Sequence, residues 1–243
     1  MARVCVDSDY FNVDGSGQLT IKPGSIGYQT TVSALGGFAG LNFQIADYPN
    51  AAWVFVECVG GGGGGAGAQD TSGTTGIAQG GGSGGTYCAS WLDASSLPPI
   101  VPVLAGAGGS GGVNNAAGGN GQQSSFGTLV VAPGGLGATV QMIASATSGI
   151  GKGALPGGLG SGQVRRQGQP GGTAVMVMAF HKTGGDGGAS GWPGAGGKGG
   201  ANNQNGESGQ FYAGGGGGGA AAFNSSNFGG SGGPGIVRIS VFN

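Results

Sequence analysis

Between residues 53 and 65 the chain passes, with no turn residue, from Trp-Val-Phe-Val-Glu-Cys-Val into six consecutive glycines. A β-branched and aromatic run that meets bare backbone in this way restricts the folds open to the chain. The rest repeats the pattern: a short apolar strand, a long glycine-rich excursion, another strand. Alternation over Trp53–Val59 puts Val54, Val56 and Cys58 on one face and Trp53, Phe55 and Glu57 on the other. The closing run Ile236–Phe242 puts Val237, Ile239 and Val241 on one face and Ile236, Arg238 and Ser240 on the other. Both are expected in one sheet. If they pair, Glu57 and Arg238 lie on like faces.

Sixty-six of the 243 residues are glycine, and only seven of those precede residue 60. The shift separates an N-terminal region, 1–50, with an expected β-hairpin, from a glycine-rich β body, 51–243. Collagen needs glycine at every third position with abundant proline; here there are 10 prolines and the triplet register breaks repeatedly. Disordered linkers are polar or charged and poor in aromatics, whereas this chain is 7% charged and sets aromatic strands between its glycine runs. An ordered glycine-rich fold is expected. Fixing each glycine costs roughly 0.5–1 kcal/mol more than fixing alanine, on the order of 30–60 kcal/mol over some sixty. Such a cost suits backbones that approach closer than a Cβ allows, as parallel polyproline-II-like glycine helices do. The interleaved strands must supply the apolar core.

Charge and cysteine usage narrow the function classes. With 8 basic and 9 acidic residues and a net charge of -1, electrostatic binding of nucleic acid is excluded as the main task. No run approaches the ~20 apolar residues of a membrane span, and the opening Met1-Ala2-Arg3 leads into polar sequence rather than a signal peptide. Cys5, Cys58 and Cys88 lack CxxC spacing and read as buried small hydrophobes, with a Cys58–Cys88 disulfide left open.

Along the chain, Tyr10-Phe11-Asn12-Val13 and Gln18-Leu19-Thr20-Ile21-Lys22 flank Asp14-Gly15-Ser16-Gly17, a hairpin signal that Pro23-Gly24 ends. Residues 30–50 are mixed, with alternation at Phe43-Gln44-Ile45 and a turn at 46–49. Further strands are expected at 86–92, at Ile100–Leu104 after Pro98-Pro99, and at 124–131 with Phe126, Leu129 and Val131 in the core. A weak strand is expected at 140–143, a loop over 149–172, and a continuous apolar, central strand at 174–180. A short strand of small residues follows at 220–223. No strong helix signal appears. The expected fold is all-β: a β-sandwich or jelly-roll-like core with long glycine-rich loops, partly polyglycine-II-like.

Catalytic patterns are missing. Lys152 and Lys198 sit between glycines, but neither is followed by Ser or Thr nor opens a helix, so no P-loop is read. His181 has no visible triad or zinc partners and reads as a surface residue. The acids are scattered; Asp7 and Asp9 read as a solvated turn rather than a cation site. No enzyme, cofactor or metal is expected. The third excursion, 184–219, offers more. Trp192, Phe211 and Tyr212 are large rings in glycine-rich sequence, with Asn202, Asn203 and Asn205 nearby. Flat apolar faces beside amides suit recognition of a sugar or a protein surface; the competing reading is a satellite core beneath the loops.

Four segments carry a resemblance: Gly17-Gln18-Leu19-Thr20-Ile21-Lys22-Pro23-Gly24; Ala46-Asp47-Tyr48-Pro49 before the strand and polyglycine; Ser124-Ser125-Phe126-Gly127-Thr128-Leu129-Val130-Val131-Ala132-Pro133-Gly134-Gly135; and Gly232-Gly233-Pro234-Gly235-Ile236-Val237-Arg238-Ile239. Their order resembles the glycine-rich domain proteins of tailed bacteriophages and prophages of actinobacteria, described as minor tail or tail-fibre-like proteins. The resemblance implies a virion component: a tail-tip or fibre protein attached to other virion proteins through residues 1–50, its body facing a host-surface glycan or protein. Trp192, Phe211, Tyr212, Asn202 and Asn203 are the candidate receptor contacts. Fibres of this kind are commonly trimers, and the apolar face of Trp53 and Phe55 also points to a homo-oligomer. Alternatives are a head decoration or head-fibre protein, a glycan depolymerase with clustered carboxylates, and a free-standing glycine-rich surface or ice-binding protein.

Overall fold

The computed structural model describes residues 11–13, 19–21, 30–37, 39–70, 76–140, 148–177, 181–221 and 225–243. Cys5, the Asp7/Asp9 turn and Pro23-Gly24 fall outside them. In chain order the strands are β1 (Phe11–Val13), β2 (Leu19–Ile21), β3 (Thr30–Leu35), β4 (Ala39–Gln44), β5 (Trp53–Val59), β6 (Ala68–Asp70), β7 (Ile77–Ala78), β8 (Tyr87–Asp93), β9 (Ile100–Leu104), β10 (Ser124–Phe126), β11 (Val130–Ala132), β12 (Ser148–Gly151), β13 (Val164–Arg166), β14 (Ala174–Val177), β15 (His181–Thr183), β16 (Ala220–Ala221), β17 (Ser225–Asn227) and β18 (Ile236–Phe242). Helix among the described residues is confined to 3-10 turns at Ile45–Asp47 and Ala94–Ser96. The protein is all-β.

Two antiparallel sheets form a sandwich. One runs β13-β8-β5-β18-β3 and the other β11-β10-β9-β4. The inward residues are those that alternation selects: Val54, Val56 and Cys58 of β5 and Val237, Ile239 and Val241 of β18 meet Phe43, Val101, Val103, Phe126 and Val130 across the interior. Cys58 and Cys88 are opposite each other on β5 and β8, buried and unbridged. The expected pairing of first and last body strands is present, with Arg238 directly across from Glu57. Strand β3, not foreseen in the mixed 30–50 stretch, pairs with β18 and edges the first sheet. The N-terminal hairpin is present as β1 against β2.

The glycine runs of the excursions, among the described residues, pack as helices. Every N–H from residue 60 to residue 67 donates to a backbone carbonyl of a remote segment at 2.8–3.2 Å. The acceptors recur every third residue. Gly60, Gly63 and Ala66 donate to Thr86, Ser83 and Gly80; Gly61, Gly64 and Gly67 to Gln122, Gly119 and Ala116; Gly62 and Gly65 to Gly233 and Gly230. These three neighbours run antiparallel. Three parallel neighbours donate back: Gly135 and Ala138, Gly109 and Gly112, and Gly216 and Gly219. A three-residue period with lateral bonding is the polyproline-II geometry, and six neighbours make the packing hexagonal. Segments 79–86 and 213–219 bond to this helix and to each other, so three helices occupy the bundle centre. A methyl group at Gly62 would drive into the Gly214 carbonyl, and one at Gly216 into that of Gly230.

The strand order gives the molecule a long axis. The bundle leaves one end of the sandwich, where β5 ends and β18 begins. At its far end the helices run into small sheets, β17-β6, β16-β7 and β12-β14-β15, which form a cap. Strand β3 enters the sandwich at the end away from the bundle, since its last residue, Leu35, pairs with Ile236.

Several strand expectations are corrected. A turn at residues 127–129, with Gly127 at φ +53°, splits the expected 124–131 strand. Alternation restarts after it, so Leu129 is exposed, Val131 is half-buried, and Val130 and Ala132 face the core. The 174–180 run is central in its sheet but covered on one face: Ala174 and Met176 are buried, Val175 and Val177 exposed. Its residues 178–180 fall outside the described ones, as do 141–143 of the weak strand and 222–223 of the last short one. Val140 is not in a strand. The expected 149–172 loop holds the end of β12 and all of β13.

Candidate functional site: an aromatic cleft at the junction of sandwich and bundle

The outer face of the five-stranded sheet is laid out in rows by its register. At the end away from the bundle, Trp53 is opposite Phe242, and Phe55 is opposite Trp91. Trp91 packs on Phe55 and on Phe242, with ring centroids at 4.7 and 5.0 Å. Trp53 and Trp91 remain 49% and 45% exposed, an apolar patch on an otherwise mixed surface. Glu57 and Arg238 form the next row, at 3.7 Å between Oε2 and a guanidinium nitrogen. The last row before the bundle is Tyr87, Val59 and Ile236.

Two turns of the third excursion fold over that last row. Residues 190–194 are held by Ser190 N–H donating to the Gly194 carbonyl and Gly191 N–H to that of Gly85. The Ser190 hydroxyl also donates to the Trp192 carbonyl. Trp192 stacks on Tyr87 at 4.9 Å and 28°. Residues 211–213 form the second turn, with Tyr212 and Ala213 at φ +68° and +70°. Left-handed backbone is disfavoured for residues with a Cβ, so the bundle contacts on either side must hold it. Gly85 N–H donates to the Ala213 carbonyl and Gly233 N–H to that of Gly214.

The result is a cleft of about 390 Å³ lined by Glu57, Val59, Tyr87, Trp192, Pro193, Tyr212, Ile236 and Arg238. A second hollow of about 440 Å³, which includes Phe211, Ser208 and Gln210, adjoins it; Pro193 and Tyr212 line both. At the floor of the first, the Tyr87 hydroxyl donates to Glu57 Oε1 at 3.0 Å. Burial, and then this bond to a carboxylate, push the Tyr87 phenol well above its ordinary range. Glu57 is buried, while Arg238 is half exposed.

Of the five residues singled out from sequence, Trp192, Phe211 and Tyr212 come together here. Phe211 and Tyr212 are exposed; Trp192 is half-buried. Asn202 and Asn203 do not join them. They lie in the cap, where Asn202 Oδ1 accepts from Lys182 N–H at 2.7 Å and Asn203 Oδ1 from the Asn227 amide at 3.4 Å. A glycine helix rising ~3.1 Å per residue accounts for the separation. Tyr87, Val59 and Ile236 were not foreseen as site residues; pairing the strand at 86–92 antiparallel with Trp53–Val59 would have brought Tyr87 beside Glu57. Elsewhere, His181 is exposed in β15, and among the described residues no three His, Cys, Asp or Glu side chains gather as a metal site. Among the described residues no helix is long and apolar enough to cross a membrane.

A glycine-rich domain family model matches residues 39–242, from the start of β4 to the end of β18. The chain belongs to this glycine-rich domain family. The glycine-rich domain therefore takes in both sheets except β3, the whole bundle, the cap and every residue of the cleft. No curated protein matches the chain.

Proposed function

We propose that this glycine-rich domain protein is a non-enzymatic structural component of a bacteriophage virion, a minor tail, tail-tip or fibre subunit that binds the host surface. The observation that carries the reading is the placement of an aromatic cleft and a cap along a stiff glycine bundle, away from the end where β3 enters the sandwich. Attachment to other virion proteins through residues 1–50 leaves the cap outermost and the cleft on the flank. The resemblance of four motifs to actinobacteriophage tail proteins supports the virion assignment. The exposed Trp53 and Trp91 patch supports self-association near the attachment end, and the resemblance to fibre proteins implies a trimer.

Immunogold labelling and mass spectrometry of purified particles test the assignment: the protein should be found in the particle, at the tail. Replacing Trp192 and Tyr212 together by Ala should reduce adsorption to host cells with particle assembly intact. Label on the head, absence from particles, or normal adsorption by the double variant would each count against the reading.

A further inference from the structure

The aromatic cleft combines two kinds of wall with an unusual floor. Tyr87, Trp192 and Tyr212 supply flat apolar surface, and Val59, Pro193 and Ile236 complete it. At the floor an acceptor and a donor stand side by side: the Glu57 carboxylate, fixed by Tyr87, and the Arg238 guanidinium. Arg238 lines the cleft and is 46% exposed, so part of its guanidinium stays accessible. The two charges cancel. With no net charge on the pair, a charged ligand gains little over a neutral one. A pair of neighbouring hydroxyls, each able to donate and accept, matches a carboxylate beside a guanidinium. Hydroxyls at the edge of a flat C–H face are the chemistry of a sugar ring. The cavity, at about 390 Å³, falls within the roughly 300–1,000 Å³ of small-molecule clefts.

We infer that the cleft binds one neutral pyranose unit, its C–H face on Trp192 and Tyr212 and two adjacent hydroxyls on Glu57 and Arg238. This rests on the host-surface reading of the same site and names its ligand class. Tyr212 and Pro193 also line the neighbouring hollow, so a second sugar of the same glycan has room beside the first.

Saturation-transfer NMR on the purified chain tests the inference. The probes are the methyl glycosides of glucose, galactose, mannose, rhamnose and N-acetylglucosamine, with glucuronate, glucosamine and adenosine as charged and flat comparators. At least one neutral pyranose should show transfer concentrated on its ring C–H protons, and the comparators should not. Tyr212→Gly removes the ring at a φ that glycine adopts freely, and Arg238→Met removes the donor from an exposed strand position. Each should weaken binding about tenfold or more, the scale of one lost charge-assisted bond or stacked ring. Leu155→Ala, at a position 73% exposed and outside the cleft, should leave it unchanged. No transfer to any pyranose, equal transfer to adenosine or the charged sugars, or full binding by both cleft variants would overturn the inference. Fluorescently labelled chain on actinobacterial host cells separates the two readings. Cell binding without pyranose binding removes the sugar and keeps the host surface; pyranose binding without cell binding does the reverse.

Discussion

At the scale of single residues, the Glu57–Arg238 pair joins β5 and β18 across the outer face. Arg238 is half exposed, so solvent screens the attraction. A double-mutant cycle with Glu57→Gln and Arg238→Gln should give a coupling of about 0.2–1 kcal/mol, the usual worth of a cross-strand pair; zero coupling would mean that the pair is held by its neighbours. Two buried thiols behind it set an alkaline limit. Burial pushes the Cys88 thiol from 9.0 up to about 11, and burial beside Cys88 pushes Cys58 higher. A folded-state pKa raised above the unfolded one means that the unfolded chain loses its proton first. The stabilisation is therefore full below pH 9 and is lost as pH climbs through about 11. Denaturant midpoints measured across that window should fall, and Cys88→Ala should make the fall shallower. A midpoint flat to pH 11 would contradict the burial of both thiols.

At the scale of elements, the strands were legible because side chains carry their pattern. Alternation and flanking prolines place Trp53–Val59, Ile100–Leu104 and Ile236–Phe242 at their observed bounds. Glycine helices carry no such pattern. Nothing in six identical residues says that Gly61 bonds to Gln122 while Gly62 bonds to Gly233, so order could be argued from the sequence but not partners. The same gap limited the site. Trp192, Phe211 and Tyr212 are conspicuous as rings among glycines. Their meeting with Tyr87, an ordinary strand residue, depends on which helices lie side by side. Asn202 seemed near Trp192 in sequence because a loop could fold back, whereas a helix cannot. The packed helices predict a sharp positional contrast. Gly62→Val and Gly216→Val should each cost several times the ~1 kcal/mol typical of a point change. Gly158→Ala, whose methyl would meet nothing closer than Pro133 at 3.6 Å, should stay within about 0.5 kcal/mol. Thermal melts of the three variants check this; equal shifts would show that the bundle yields easily.

At the scale of the whole molecule, sandwich, bundle and cap lie in a line, and the exposed Trp53 and Trp91 sit near the sandwich end that β3 enters. Light scattering at micromolar concentration should find an oligomer, and Trp53→Ser with Trp91→Ser should shift it toward single chains with the fold retained. A wild-type chain that remains single would turn the patch into a contact for another virion protein. The bundle has a further consequence, seen in how amide protons would leave it. Each N–H from residue 60 to residue 67 is bonded to a segment far away in sequence, and the bonds point in three directions around the helix. No single neighbour can peel away and free them all. Exchange with solvent deuterium should then require opening of the entire molecule, the route that reports global stability. In most proteins the slowest amides sit beneath large apolar side chains. Here the last protons to exchange should belong to residues 60–67, a stretch with almost no side chains at all.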